Sequence, residues 1–454
     1  MKNKRSLIYI ITIIGLVAIL ALLWFLVLNN SSSNSNNNGN NGTGGTPPGG
    51  NPGGSSGNVT YSASKEITTS EDLTSGTYSS TESDQNAISV SGSIKSTLSN
   101  ITVTKTGDSD GGDNTSFYGN NSAIIAKDGA TVNITNATIT TKANGANGVF
   151  SYGGSATTNN SNSDGTTVNI SDSKITTTGN NSGGIMTTGG GNMNATNLEI
   201  ETSGTSSAAI RTDRGGGTVL VNKGTYKTTG QGSPAIYSTA DITVNDATLI
   251  ATASEGVVIE GANSVTLNNC ELTDTNNKLN GQSTTYKNIF LYQSMSGDAK
   301  EGGSTFTSKN STITTNKGDS FYITNTTATI NLENNTIINN DSTGYFIRAQ
   351  KDSWGKEGSN GGVVTLNITN QKAIGNIYID SISTLTMNMK SSSYEGAINA
   401  DNIAKSITIT LDSSSTLKLT GNSYITELKD DDTTYSNIDL NGYKLYINGK
   451  ELTK

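Results

Sequence analysis

The sequence predicts an all-β solenoid, a right-handed single-stranded parallel β-helix, on the strength of three observations. Apolar residues recur at every second position in short Thr-rich stretches such as residues 131–135 and 406–410, which is the pattern of half-buried strands. Equivalent stretches return after about two dozen residues, the length of one three-sided coil. Gly, Asn and Asp follow each stretch closely, which leaves no room for an amphipathic helix.

The repeat is clearest in triplets made of a small or apolar residue, an apolar residue and a polar residue. The middle positions of the first six triplets are 25, 36, 24, 26 and 23 residues apart; they are Ile125, Phe150, Met186, Ile210, Ile236 and Ile259. Stacked coils line one narrow axis with aliphatic side chains, which accounts for a hydrophobic content of only 32%. We therefore predict a β-helix over residues 59–454, with irregular caps at 59–95 and 405–454 that protect its exposed strand edges.

The first 58 residues predict an anchor and a spacer. An uncharged, mostly apolar run at residues 6–28 is long enough to cross a membrane as a helix, and the basic residues within 1–5 predict a cytoplasmic tip. A cleaved signal peptide is the alternative, but the run is long for one and lacks a small-x-small cleavage motif. Residues 29–58 consist largely of Asn, Ser, Gly and Pro and predict a flexible linker. The sequence thus predicts a single-pass membrane protein with an extracellular ectodomain.

Composition excludes several classes of function. A net charge of -8 and a scatter of basic residues leave no cationic surface for nucleic acid. The absence of histidine excludes Ser-His and Cys-His catalysis and His-metal centres. Cys270 is the single cysteine, so neither an intramolecular disulfide nor a CxxC zinc site can form. We expect Cys270 to be a small apolar member of the interior stack.

One predicted outward column is richer in charges and aromatic rings than the Thr and Ser faces elsewhere. Tyrosine rings stack on the C–H faces of sugars, and arginine forks onto acidic groups. A coil rise of about 4.8 Å is close to one unit of an extended glycan. The alternative is a solvated face whose Arg and Glu side chains pair between coils. The column is predicted as Ser151, Thr187, Arg211, Tyr237, Glu260, Tyr292, Thr324, Arg348 and Asp380.

The sequence also offers a tryptophan beside this column. Trp354 lies in a polar, Gly-rich insertion at residues 351–358, and the other tryptophan, Trp24, belongs to the predicted anchor. Trp354 is therefore either a sugar platform or a plug that packs back against the solenoid. The expected carbohydrate contacts are Arg211, Tyr237, Glu260, Tyr292, Arg348 and Trp354.

An acidic segment near the start of the solenoid resembles loops that bind calcium. Asp108, Asp110 and Asp113 offer the oxygen ligands that Ca²⁺ prefers. Their spacing does not match an EF-hand, and the final glutamate is missing. The two interpretations are a calcium site and a solvated turn.

The ordered series of Gly-containing coil starts resembles that of bacterial and archaeal surface proteins with adhesin-like or carbohydrate-binding right-handed β-helices, in the pectate-lyase-like superfamily. The series comprises residues 107–113, 147–153, 183–191, 209–217 and 255–261. The resemblance covers the ectodomain and implies a surface protein that faces glycans.

The function that these observations favour is non-catalytic binding of polysaccharide or cell-surface glycans along one face of the solenoid. A structural or protein-binding adhesin rod is the alternative. A calcium-dependent polysaccharide lyase comes third. Such an enzyme needs acidic groups for calcium and a basic arginine, and both kinds of side chain occur at Arg211, Asp213 and Arg214 near Glu260. No recognisable set of calcium carboxylates surrounds them, so an ion-paired corner is the simpler interpretation.

Overall fold

The computed structural model describes residues 59–109, 111–155, 163–281 and 283–453. Each circuit of the chain contributes up to three strands, and each strand pairs in parallel with its equivalent in the next circuit. This arrangement is a parallel β-helix, which confirms the predicted solenoid. The described strands include one antiparallel pair, Leu445–Ile447 with Lys450–Glu451.

Twelve strands form the first sheet, here named sheet A, which carries the candidate site. In spatial order they are Ala63–Ile67, Asn86–Ser91, Ile124–Lys127, Val149–Tyr152, Ile185–Thr188, Ile210–Thr212, Ile236–Ser238, Val257–Glu260, Lys287–Tyr292, Asp319–Thr324, Ile347–Ala349 and Ile377–Ile379.

A second set of 21 hydrogen-bonded strands, sheet B, forms the other two sides of the coils. It is one set because the strands Gly191–Thr202 and Gly217–Thr228 each run through two strand positions of a coil. In chain order its strands are Gly76–Ser80, Lys95–Ser99, Ile101–Lys105, Thr131–Thr135, Thr138–Thr141, Thr167–Ser171, Lys174–Thr177, Gly191–Thr202, Gly217–Thr228, Asp241–Asn245, Thr248–Ala251, Ser264–Asn268, Glu271–Asp274, Ser304–Lys309, Thr312–Thr315, Thr326–Glu333, Thr336–Asn339, Gly362–Thr369, Thr384–Lys390, Ser406–Leu411 and Glu427–Asp430.

Two small sheets complete the described strands. One contains Lys372–Ile374, Ser393–Gly396, Thr416–Leu419 and Ile438–Asp439; the other contains Ser423–Ile425, Leu445–Ile447 and Lys450–Glu451. A short helix, α1 (Asn114–Tyr118), ends at Gly119, whose φ of 70° is the left-handed conformation typical of a helix end.

Single residues turn the chain between the two strands that a coil gives to sheet B. Asn136, for example, has φ 53° between Thr131–Thr135 and Thr138–Thr141. Asn tolerates this left-handed conformation better than other non-Gly residues, and its amide hydrogen-bonds to the same turn of the neighbouring coil, Asn100. The abundance of Asn therefore follows from the architecture.

The core is a column of aliphatic side chains along the axis. Ile185, Ile210 and Ile236 occupy one inward row of sheet A, are fully or almost fully buried, and pair in register. Cys270 is 1% exposed within the same core, as predicted. Each strand needs only two or three such residues because neighbouring coils cover them on both sides.

The ends of the solenoid are more regular than the predicted irregular caps. Three strands within residues 59–95 already pair in sheets A and B, and strands from Ser406–Leu411 onward continue the stack. The predicted anchor at 6–28 and linker at 29–58 lie outside the described residues. Within the described ranges, no helix has the length and apolar character needed to span a membrane.

Candidate functional site

The outward row of sheet A differs from the predicted column. Hydrogen-bond register places Met186 beside Arg211, whereas Ser151 and Thr187 lie in the next, inward row and are fully buried. The prediction was wrong for these two residues because sheet A has apolar residues on both faces, and a slip of one residue exchanges the faces. It was also wrong for four residues that lie two positions beyond the row of Arg211, in a neighbouring row: Glu260, Tyr292, Thr324 and Asp380. The outward row is Ser89, Ile125, Phe150, Met186, Arg211, Tyr237, Val258, Phe290, Tyr322, Arg348 and Tyr378.

A cavity of about 150 Å³, here named the Arg211 pocket, lies over this row. Helix α1 contributes Phe117 to its lining, and the segments after Asp274 and Tyr292 contribute further walls. Five of the six predicted carbohydrate contacts line it: Arg211, Tyr237, Glu260, Tyr292 and Trp354.

Two ion pairs form one side of the Arg211 pocket. Arg211 donates to Oδ2 of Asp213 at 3.0 Å, and Arg214 Nε donates to Oδ1 of Asp298 at 2.6 Å. The Arg214 guanidinium also lies 3.8 Å from the centre of the Phe117 ring. Burial raises the pKa of Asp213 to about 7, although Arg211 opposes the shift. These contacts tie helix α1 and the segment bearing Asp298 to the sheet.

Both arginines keep donors for a ligand. Guanidinium carries five N–H groups. Among the described residues, Arg214 uses one of them for Asp298, and Arg211 uses one for Asp213 and one for the carbonyl of Ser206. The remaining N–H groups can donate to a hydroxyl or carboxylate in the cavity.

Glu260 organises the opposite side. Its Oε2 accepts from the hydroxyls of Tyr237 at 2.5 Å and Tyr292 at 3.0 Å, and its Oε1 accepts from Ser294. Burial raises the pKa of Glu260, and the three hydroxyl donors oppose the shift. Because these donors occupy both oxygens, Glu260 holds the tyrosines in place, whereas the sequence predicted it as a sugar contact.

Trp354 closes the site with an aromatic cluster. Its ring centre lies 5.3 Å from that of Tyr292 and 5.6 Å from that of Phe290, and 6% of Trp354 is exposed. Asn360 donates to the carbonyl of Trp354 at 2.9 Å and fixes the insertion. Trp354 therefore packs back against the solenoid, one of the two predicted arrangements, and still lines the cavity.

Arg348 lies elsewhere on the outward row. Its Nε donates to Oδ2 of the buried Asp319 at 2.5 Å, and its guanidinium lies 4.3 Å from the ring centre of Tyr345 and 5.2 Å from that of Tyr378. The Arg211 pocket does not include it. The structure thus separates Arg348 from the other predicted contacts.

Several pocket residues were not predicted from the sequence, among them Ser283 and Lys287. Lys287 Nζ lies 2.6 Å from Ser283 Oγ, 3.1 Å from the carbonyl of Thr285 and 3.7 Å from Oε1 of Glu255. The side chain of Lys287 is fully buried against Phe290 and Tyr322. One indication in the sequence that Lys287 is buried is its alternation with the apolar residues Ile289 and Leu291 in the same strand.

The acidic segment near the start is divided between two environments. Asp108 accepts from the backbone N–H of Asn144 at 2.7 Å, whereas Asp113 precedes helix α1 and lines the Arg211 pocket. Burial raises the pKa of Asp113, and Asp298 adds to the shift. Asp110 lies outside the described residues. Among the residues that the structure describes, no group of three or more acidic or cysteine side chains is arranged to hold a metal ion. Calcium binding here stays a prediction.

Comparison with known proteins does not place the chain in a family. No protein-family model matches the chain, and no curated protein matches it. One solved structure that matches is the cryo-EM structure of the Vag8–C1 inhibitor complex, with a TM-score of 0.46 and 15% identity over 82% of this chain and 100% of that chain. The assignment to the parallel β-helices rests on the strand pairing described above.

Proposed function

We propose that this protein binds saccharides and that the Arg211 pocket holds them. The observation that carries the proposal is the convergence of Arg211, Tyr237, Tyr292 and Trp354 on one cavity. Ligand sites are typically concave and largely apolar, with a few polar groups in fixed positions.

The chemistry of the pocket suits a hydroxyl-rich ligand. Each sugar hydroxyl both donates and accepts a hydrogen bond, and the paired Arg214 and Asp298 present a donor beside an acceptor. Phe290 and Trp354 supply the aromatic surface on which C–H faces pack. Because the arginines are paired with carboxylates, the pocket does not need a strongly anionic ligand.

The proposed site is more compact than the groove predicted along the whole face. Helix α1 and the segment bearing Asp298 meet through Arg214, which bounds the pocket across the row. We therefore expect recognition of a chain end or a short branch of a glycan. The anchor predicted at residues 6–28 belongs to this proposal, since it would display the pocket outside the cell.

The experiment is a glycan array followed by calorimetric titration of the best saccharide against three proteins. Arg211→Ala removes the guanidinium N–H groups that remain to donate to a ligand, so binding should weaken at least about tenfold. Arg348→Ala is the matched control, because it removes an arginine from the same row outside the pocket; it should change affinity less than about twofold. Far-UV circular dichroism verifies that all three are folded.

Equal weakening in the two variants would contradict the assignment of the site to the Arg211 pocket. Binding of no saccharide by the wild-type protein would overturn the proposed function itself.

A further inference from the structure

A serine and a buried lysine form a hydrogen-bonded pair in the wall of the Arg211 pocket. Ser283 Oγ and Lys287 Nζ are 2.6 Å apart, and both residues line the cavity. Ser283 is 7% exposed, and Lys287 is fully buried. Lys287 Nζ donates in this contact, and the Ser283 hydroxyl donates to the carbonyl of Thr285 at 3.2 Å. Loss of one proton from Lys287 would let the serine hydroxyl donate to the amine instead, across a distance in the range expected of a nucleophile and its general base.

The surroundings of Lys287 favour the neutral amine that a base requires. Its Nζ lies 4.6 Å from the ring centre of Phe290 and 4.9 Å from that of Tyr322. Burial lowers the pKa of Lys287, and the carboxylates of Glu255, Asp352 and Asp319 oppose the shift. Lysine replaces histidine as the base of serine nucleophiles on several folds, so the absence of histidine from this chain is no obstacle.

We propose that Ser283 and Lys287 form a nucleophile and base that hydrolyse carboxylic esters, with O-acyl groups on a saccharide as the substrate class. The saccharide half of this substrate rests on the proposed function. The ester chemistry does not, because it needs only the pair and a cavity that admits an acyl group.

The reaction has two halves. Lys287 takes the proton of Ser283 as Oγ bonds to the acyl carbon; the C–O bond to the alcohol then breaks, and the alcohol leaves with that proton. Water next attacks the acyl-serine while Lys287 takes its proton, and the ester bond to Ser283 breaks as the proton returns to Oγ. Ester and water thereby become acid and alcohol, with no net change in the protein.

An amide donor for the developing oxyanion lies in the same segment. Asn280 lines the cavity, and its backbone carbonyl accepts from the N–H of Ser283 at 3.0 Å. The neighbouring coil holds this segment through Gln231, which donates to the carbonyl of Leu279 at 2.6 Å. Gly232 permits the approach, because a Cβ there would come within 2.8 Å of the Asn280 amide oxygen. The proposal assigns the side-chain N–H of Asn280 as the donor to the oxyanion, since Asn280 lines the same cavity as Ser283.

The test measures hydrolysis of p-nitrophenyl acetate by the purified full chain. Ser283→Ala and Lys287→Met should each lower kcat/KM at least about 100-fold, the usual contribution of a general base and of the group it activates. Wild-type activity should rise with pH as Lys287 loses its proton. Ser304→Ala and Lys105→Met are matched controls, since both replace buried residues outside the pocket. They should retain full activity.

A fluorophosphonate probe followed by peptide mapping keeps the proposal testable if Lys287→Met does not fold. The probe should label Ser283 in the wild-type protein and no site in folded Ser283→Ala. Labelling elsewhere, or hydrolysis by Ser283→Ala at the wild-type rate, would overturn the proposal. Hydrolysis of the acetate ester without binding of any saccharide would refute only the saccharide half.

Discussion

Arg211 and Arg348 occupy the same outward row of sheet A in closely similar settings, yet only Arg211 lies in a pocket. Each pairs with a buried aspartate and lies near tyrosine rings. Their side chains are 14% and 19% exposed. The difference lies in what covers them: helix α1 and the segment bearing Asp298 meet beside Arg211. A β-helix row therefore supplies residues at a fixed spacing, and the segments between coils decide where a site forms.

The largest effect should come from removing the carboxylate that fixes the covered region. Glu260→Ala leaves three hydroxyls without their acceptor, so we expect it to lower the free energy of unfolding by about 3 kcal/mol and to abolish saccharide binding. Asp319→Ala, which removes the partner of Arg348, should lower stability and leave binding intact. Urea unfolding and calorimetry measure both quantities. Saccharide binding that survives in folded Glu260→Ala would contradict the role given to Glu260.

Two glycines that flank helix α1 test whether the position of this helix is needed for the pocket. Gly119 and Gly112 both have left-handed φ angles, but a Cβ on Gly119 would lie 2.5 Å from the Phe150 ring, whereas a Cβ on Gly112 would meet nothing within 4 Å. Gly112→Ala should cost roughly 1–2 kcal/mol of backbone strain. Gly119→Ala should cost about 1–3 kcal/mol more, expose helix α1 to hydrogen exchange and weaken binding. Equal exchange rates of residues 114–118 in the two variants would show that Gly119 does not secure the cover.

The sequence predicted the coils more completely than their register. Alternation over residues 131–135 is enough to identify a half-buried strand, and Asn at the following turn agrees with it. Alternation could not show which residues of sheet A point inward, because Phe150 and Met186 are apolar outward residues that other parts of the chain bury. Tyr61 and Tyr152 pack against this cluster, and Gly119 at the end of helix α1 lies against Phe150; no strand pattern contains these contacts.

Only part of the candidate site was predicted, again because segments outside the strands complete it. Arg211, Tyr237 and Tyr292 were identifiable as unusual residues at strand positions. The pairing of Arg214 with Asp298, 84 residues later, and the contact of Ser283 with Lys287 depend on how intervening segments fold over the sheet. Local sequence carries little information about such contacts.

A test by pH addresses the paired charges of the pocket. The folded pKa of Asp213, about 7, lies above its ordinary value of 3.8, so between these values the folded protein holds a proton that the unfolded chain has lost. Wild-type stability relative to Asp213→Asn should therefore fall as pH rises from about 4 to about 7, and should then stay constant.

Asp341→Asn is a control of opposite sign, because hydrogen bonds from Gly318 and Thr343 lower the pKa of Asp341. Relative to this variant, the wild type should lose stability as pH falls below the ordinary range of aspartate. Thermal melts across both pH ranges, below and above the ordinary pKa of aspartate, measure the two differences. A constant difference between wild type and Asp213→Asn would show that Asp213 is ionised throughout.

The most direct test of the saccharide site is the fluorescence of Trp354 during titration with the best saccharide from the array, in a Trp24→Phe background. Trp354 lines the cavity, so its emission should change saturably, with the dissociation constant found by calorimetry. The change should persist in Arg348→Ala and require much more saccharide in Arg211→Ala. Unchanged emission at a concentration that saturates the calorimetric signal would place the saccharide elsewhere and contradict the account.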